Sequence, residues 1–483
     1  MLKRVLILSA SVGSGHKSAA AALEQVFRTY PGIEVTNQDA LKLTSRIYQV
    51  TANDIYFRLV KQSPWYVGWI YDNNDEPFKN ERGLPLLWQM LNGQPLAEFI
   101  EDYQPDLVVC THFLPAGIAT QLLVEERINA RLAIITTDYD FQGMWLSKAF
   151  NRYFVALDET RAFLAGIGVE AERVTVSGIP VNPVFAEPFE AEAVRARYNL
   201  DPALPTLLVS AGALGGGPAV DIVNQIMAMQ TPVQTIVVCG RNQALRQQVT
   251  TMTAARAEQF RVLGYSNEMP DLMRVATLFI GKPGGLTTAE CMAANLPMVV
   301  IEPIPGQEER NSDHLLENGA ALRCRSLPAL GFKLDRALSE PGRIEAMRAG
   351  TNRLARPDAA RTVVMTLLND TTEPYHFQKD ELRQIIAVAR GEVEPEPIDE
   401  PPSPDEIALY HDDTGVYIGA INQDQLAFLI DQLEEEGLDD ETYYLDGPTI
   451  DYLQLAGADD DLLITLRAAI EGRGQSEVRY VRS

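Results

Sequence analysis

The sequence is poor in several things, and each shortage excludes something. It has four cysteines in 483 residues (Cys110, Cys239, Cys291 and Cys324), scattered and without C-x-x-C spacing. That argues against a disulfide framework and structural zinc, and leaves reduced thiols in a core. No stretch reaches 18 apolar residues, and the first apolar run, VLILSA, is far too short for a secretion signal or a membrane span. A cytosolic protein is expected, one that at most lies against a membrane. A basic stripe is also missing, so nucleic acid is not a partner.

What the chain does have is acid, and it is unevenly placed. The net charge is −25, but from Gly391 onward 24 acidic residues stand against 4 basic ones, a net of −20. The first 390 residues therefore carry only about −5. Within them, strand-length apolar runs alternate with helical patterns, first RVLILSA, DLVVCTH, LAIITTD and RYFVAL, then TLLVSAG, QTIVVCG, FRVLGY, ATLFIGK and PMVVIE. Such runs suit parallel sheets covered on both faces. The fold class is α/β: two doubly wound, Rossmann-like domains facing a cleft, plus a small α+β appendage. The expected boundaries are 1–175 for the first domain and 176–390 for the second, which ends in a return helix. An acidic, proline-rich linker (391–405) and an acidic accessory domain (406–483) follow. TVSGIPVNPVF (175–185) reads as the connection between the first two.

The strongest chemical signal is IGKPGGLTTAE followed by PIPGQEERN. A strand ends at Lys282-Pro283, Gly284 and Gly285 permit close backbone approach, and a helix begins near Thr287. An anion docked there meets free N–H groups and the positive end of the helix dipole. Glu290, one turn inside, can accept both hydroxyls of a ribose. Gln307, Glu308 and Asn311 follow the next strand and suit sugar hydroxyls. The glycines of SAGALGGGP (Gly212, Gly215 and Gly216) suit a loop closing over phosphate, and Arg241 and Lys282 add positive charge.

The opening SVGSGHKSAAAAL resembles a phosphate turn but fits no standard one, because His16 stands between Gly15 and Lys17 where a P-loop has Gly-Lys-Ser/Thr. A helix start disfavours a cation, so His16 is expected to be neutral near pH 7 and able to take a hydroxyl proton. Gly13 and Gly15 let an acceptor or the donor phosphates come close. Trp65 and Trp69, among other rings with basic neighbours between 45 and 100, suit a water–lipid boundary or a lid of the first lobe. His112 in THFLP and Asp138 in TTDYDFQGMW end first-lobe strands and are expected to orient the acceptor.

GKPGGLTTAE…GQEERN together with SVGSGHKSAAAAL resembles the monogalactosyldiacylglycerol synthase and processive diacylglycerol glucosyltransferase family, over roughly residues 1 to 390. That family is related to the peptidoglycan N-acetylglucosaminyltransferase of glycosyltransferase family 28. The resemblance implies a GT-B fold, a UDP-hexose donor, inversion at the anomeric carbon and no catalytic metal or other cofactor. It also implies ribose binding by Glu290, sugar contacts by Gln307 and Glu308, and base catalysis by His16. Gln142 departs from the relatives, which often carry histidine there. The expected acceptor is 1,2-diacylglycerol, and the expected location is cytoplasmic, peripheral to the inner face of the membrane. The appendage is expected to serve an unidentified protein partner. A UDP-sugar epimerase or hydrolase, a transferase to a non-lipid acceptor, and a regulatory binder of UDP-sugar are the alternatives. Galactose or glucose stays open.

Overall fold

The computed structural model describes residues 2–11, 15–44, 83–147, 149–167, 169–212, 218–372, 406–411, 417–433, 442–470 and 475–482. The chain divides into two units, Met1–Lys379 and Asp380–Ser483.

The first unit holds two six-stranded parallel sheets. Sheet one contains β1 (Arg4–Ser9), β2 (Glu34–Asp39), β3 (Leu107–Cys110), β4 (Arg131–Ile135), β5 (Arg152–Val155) and β6 (Val174–Val176), in the order β2-β1-β3-β4-β5-β6. Val5, Leu6, Ile7 and Leu8 are all fully buried, as an unbroken apolar run in a sheet covered on both faces must be. Sheet two contains β7 (Thr206–Ser210), β8 (Gln234–Val238), β9 (Phe260–Leu263), β10 (Leu278–Gly281), β11 (Met298–Ile301) and β12 (Ala321–Cys324), in the order β12-β11-β10-β7-β8-β9. In both orders the numbering reverses beside the first strand, which opens a crevice at the carboxyl ends.

Five helices shape the cleft and join the lobes: α1 (Gly15–Phe27), α2 (Phe113–Val124), α3 (Gly285–Ala293), α4 (Gln307–Glu317) and α5 (Ala359–Asn369). The first four each leave the carboxyl end of a strand. The last returns to the opposite lobe: Ala360, Val363, Val364 and Leu367 are buried with Val5, Ile7, Leu23 and Phe27 of the first lobe. Just beyond α5, Asp370 accepts from Arg152 at 3.2 Å. The linker expected from Thr175 begins two residues later, at Ser177, because Val174–Val176 pairs with β5 as an edge strand.

The second unit contains an antiparallel sheet made of β13 (Glu406–His411), β14 (Tyr417–Asn422), β15 (Thr442–Asp446) and β16 (Gln475–Arg482), in the order β14-β13-β16-β15. Its own core includes Ile407, Leu409, Leu426, Leu453, Leu466 and Val478. The 391–405 linker lies outside the described residues.

Candidate active site

Three adjacent strands of the first sheet bring one cluster together. β1 leads into α1 and His16, β3 into Thr111 and His112, and β4 into Thr137 and Asp138. His16 Nδ1 lies 2.9 Å from the Thr111 carbonyl oxygen and 2.8 Å from Thr137 Oγ1. A carbonyl only accepts, so Nδ1 carries the proton and Nε2 keeps the free lone pair. Thr111 Oγ1 donates back to the His16 carbonyl at 2.9 Å. Burial in the cleft, only partly offset by the Thr111 bond, pushes the His16 imidazole down to about 4. It is therefore neutral at physiological pH.

His112 is 4% exposed and caps α2, its Nδ1 accepting from the Leu114 N–H at 3.0 Å. Its ring meets that of His16 edge-on, with centroids 4.6 Å apart. Burial, and then the neighbouring His16, lower its pKa well below the usual histidine value. The acceptor-orienting role expected of His112 does not match this position: it backs His16 from inside the lobe.

The second lobe supplies the facing wall. β10 runs through Lys282, Pro283 and Gly284 into α3, and β11 runs through a loop ending at Gly306, with φ 88°, into α4. The two lobes meet where these turns approach α1. Gly15 lies so close that a Cβ on it would stand 3.5 Å from the Leu286 Cβ. A Cβ on Gly285 would overlap the Thr137 carbonyl and come within 2.8 Å of Asp138 Oδ1. Only glycine fits at Gly285, because another strand's backbone occupies the space.

Glu290 is half-buried on α3, and its carboxylate has no hydrogen-bond or ion-pair partner among the described residues. Burial pushes it up to about 7. Glu308 accepts from the Ile304 N–H at 2.7 Å, and its other oxygen lies beside Gly284. Its pKa is raised by burial against the opposing pull of that bond and of Lys282. Thr287 is half-buried on the first turn of α3.

Asn311 behaves differently from the sugar contact expected of it. It is fully buried, accepts from the Tyr139 N–H at 3.1 Å and donates to the Pro283 carbonyl at 3.1 Å. Asp138, 6% exposed, takes hydrogen bonds from Gln307 and Asn311 and is pushed up to about 6, chiefly by burial. Arg310 pairs with Asp140 at 3.0 Å, and His314 stacks on Tyr139 with centroids 4.8 Å apart. Gln307, Arg310, Asn311 and His314 lie three to four positions apart, one face of α4. That face holds residues 138–140, so Asp138 and Asn311 form an interlobe tie instead of open ligand contacts. Arg241 is exposed and lies over the Tyr265 ring at 5.0 Å. Gly212 has φ 79°, a glycine conformation at the end of β7. Gly13, Gly215, Gly216, Trp65 and Trp69 lie outside the described residues.

Comparison with known proteins addresses the same surfaces. Residues 16–181 match the family described as monogalactosyldiacylglycerol (MGDG) synthase, and residues 208–360 match the glycosyltransferase family 28 C-terminal domain. A processive diacylglycerol beta-glucosyltransferase of Bacillus subtilis (strain 168) is 30% identical over 324 residues, covering 66% of this chain and 83% of that one. The chain belongs to this diacylglycerol glycosyltransferase family. A Bacillus cereus (strain AH187) member with the same description is 28% identical over 382 residues, covering 77% and 96%. The family's fold is GT-B: the crystal structure of Acinetobacter baumannii MurG matches with a TM-score of 0.52 at 18% identity, over 76% of this chain and 100% of that one. The S. aureus MnaA–UDP structure matches with 0.51 at 11% identity, over 78% and 100%.

Thr111 and Thr137, which fix the histidine of this family member, were not foreseen from the sequence. Each stands one or two residues past the apolar run of its strand, and that offset was the available signal. No helix among the described residues is long and apolar enough to cross a membrane.

Proposed function

We propose that this chain transfers a hexose, with inversion, from its UDP carrier to the free hydroxyl of 1,2-diacylglycerol, giving a β-glycosyl lipid. Support comes from two helix starts that meet in one cleft, α1 with the Nε2 lone pair of His16 and α3 with its free N–H groups. In this reading the diphosphate sits at the start of α3, Glu290 takes the ribose hydroxyls, and Gln307 and Glu308 line the sugar. Nε2 accepts the proton of the attacking hydroxyl while its oxygen bonds to the anomeric carbon. The bond from that carbon to the diphosphate oxygen breaks, and the electron pair leaves with UDP toward the α3 N–H groups and Lys282. The new imidazolium is steadied by its Nδ1–H bond to Thr111. No metal is assigned a part.

The acceptor is a lipid and the donor a water-soluble nucleotide, so the enzyme is read as working from the cytoplasm, peripherally, on the inner membrane face. Radiolabelled UDP-glucose and UDP-galactose, each incubated with and without diacylglycerol, test this. Label in the lipid only when diacylglycerol is present is expected, and His16→Ala should lower transfer by about 10²–10⁴-fold with UDP binding intact. Donor turnover that ignores diacylglycerol, or a variant within a few-fold of wild type, would overturn the reading.

A further inference from the structure

The second lobe contains a cavity of about 270 Å³ lined by none of the candidate site residues. Leu204, Thr206, Ala276 and Thr277 line it at the amino-terminal ends of β7 and β10, with Ala294 and Asn295 from the end of α3. The donor motifs leave the opposite ends of the same strands and the opposite end of the same helix. Nine helical residues separate them, about 13 Å.

Three arginines line the cavity, Arg195, Arg274 and Arg348, and no aspartate or glutamate does. The Arg274 side chain is only 10% exposed. It donates to the carbonyls of Val184 and Glu187 at 3.0 and 3.2 Å and pairs with Asp271 at 3.5 Å. Its Nε is nonetheless buried without an acceptor. The Arg195 and Arg348 guanidinium groups have no hydrogen bond or ion pair among the described residues. The carbonyl end of α3 attracts cations, yet neither arginine donates to it. Asp271 offsets Arg274, but the half-buried Arg195 and the exposed Arg348 bring two uncompensated like charges to this open pocket, and a buried N–H without an acceptor is rare in folded proteins. An oxyanion relieves both conditions, and guanidinium forks match the geometry of phosphate.

Size and lining narrow the ligand. At about 30 Å³ per water, the space corresponds to roughly nine waters, more than a bare phosphate needs. The walls are polar, with nothing shaped for an acyl chain among the described residues. We propose that this cavity binds a soluble phosphate monoester of a small polyol or sugar, at a site separate from that of UDP.

The test is calorimetric titration of the full-length protein with glycerol 3-phosphate at saturating UDP. Binding is expected with UDP present, and the double variant Arg195→Ala/Arg348→Ala should weaken it by about 10²-fold through loss of two charge-assisted bonds. Neither guanidinium group makes a hydrogen bond or ion pair among the described residues, and circular dichroism of the double variant checks that its fold is kept. Binding abolished by UDP would assign the anion to the cleft and overturn the proposal. So would unchanged affinity in the double variant, or no heat at all. A second arm uses phosphatidylcholine vesicles with and without phosphatidylglycerol. Arginine-dependent binding to the anionic vesicles alone, with none to glycerol 3-phosphate, would overturn the soluble ligand. None of these readouts involves hexose transfer, so failure here leaves the proposed function untouched.

Discussion

The proposed base His16 and the proposed ribose ligand Glu290 have protonation requirements that fall at different pH. The histidine must be neutral to act as a base, and its pKa of about 4 makes it so at any pH above that value. In the proposed reading the glutamate must be ionised to accept two ribose hydroxyls, and burial raises its pKa to about 7. Its binding contribution is therefore complete above pH 7 and is lost as pH falls through 7. The free-enzyme affinity for UDP should fall by up to tenfold per pH unit below 7, while kcat at saturating donor holds until about pH 4. Calorimetry of UDP binding across pH, beside steady-state rates, separates the two. Glu290→Gln should bind UDP weakly and with no inflection at 7; an inflection left near 6 belongs to Asp138. A wild-type affinity that is flat from pH 5 to 8 would remove Glu290 from the ribose.

At the scale of elements, α5 carries the clearest consequence. Leu367 is 2% exposed and lies in the first lobe's core, although it follows the whole second sheet in sequence. Leu367→Ala should cost about 2–5 kcal/mol. Hydrogen exchange should show the loss in β1 and β3 before β10 and β11. Equal loss in both sheets would mean that α5 does not belong to the first lobe's cooperative unit. The nine apolar runs read from the sequence are all strands; eight are central and buried on both faces, where only apolar residues fit, and β9 is an edge. The strands of the first unit that went unread, β2, β6 and β12, are all edges. EVTNQD in β2 has one hydrogen-bonding neighbour and a half-wet face, so its lettering matches that of a loop. The α3 and α4 motifs were legible because glycines and carboxylates at strand ends have few other uses. The role of Asn311 was not, since its partners, Tyr139 and Pro283, come from distant strand ends. Nor was that of His112, whose capping bond and contact with His16 depend on how two strands pair.

At the scale of the whole molecule, the first unit works only if its two lobes stand at one distance, and Gly285 sets how near they come. A methyl group there meets the Thr137 carbonyl, which is backbone and cannot rotate away. The same Thr137 places its hydroxyl on His16 Nδ1, and its neighbour Asp138 is tied to Gln307 and Asn311. Gly285→Ala must therefore shift α3 against β4, separating the base from the donor while each sheet stays intact. Misplacement by about 1 Å is enough to cost about 10²-fold in rate. The variant should keep its fold by circular dichroism, lose transfer by about that factor, and still bind UDP, whose contacts lie mostly in one lobe. Wild-type transfer in Gly285→Ala would show that the lobes work at a wider separation than the one seen here. The proton would then have to pass from hydroxyl to His16 before the donor wall closes.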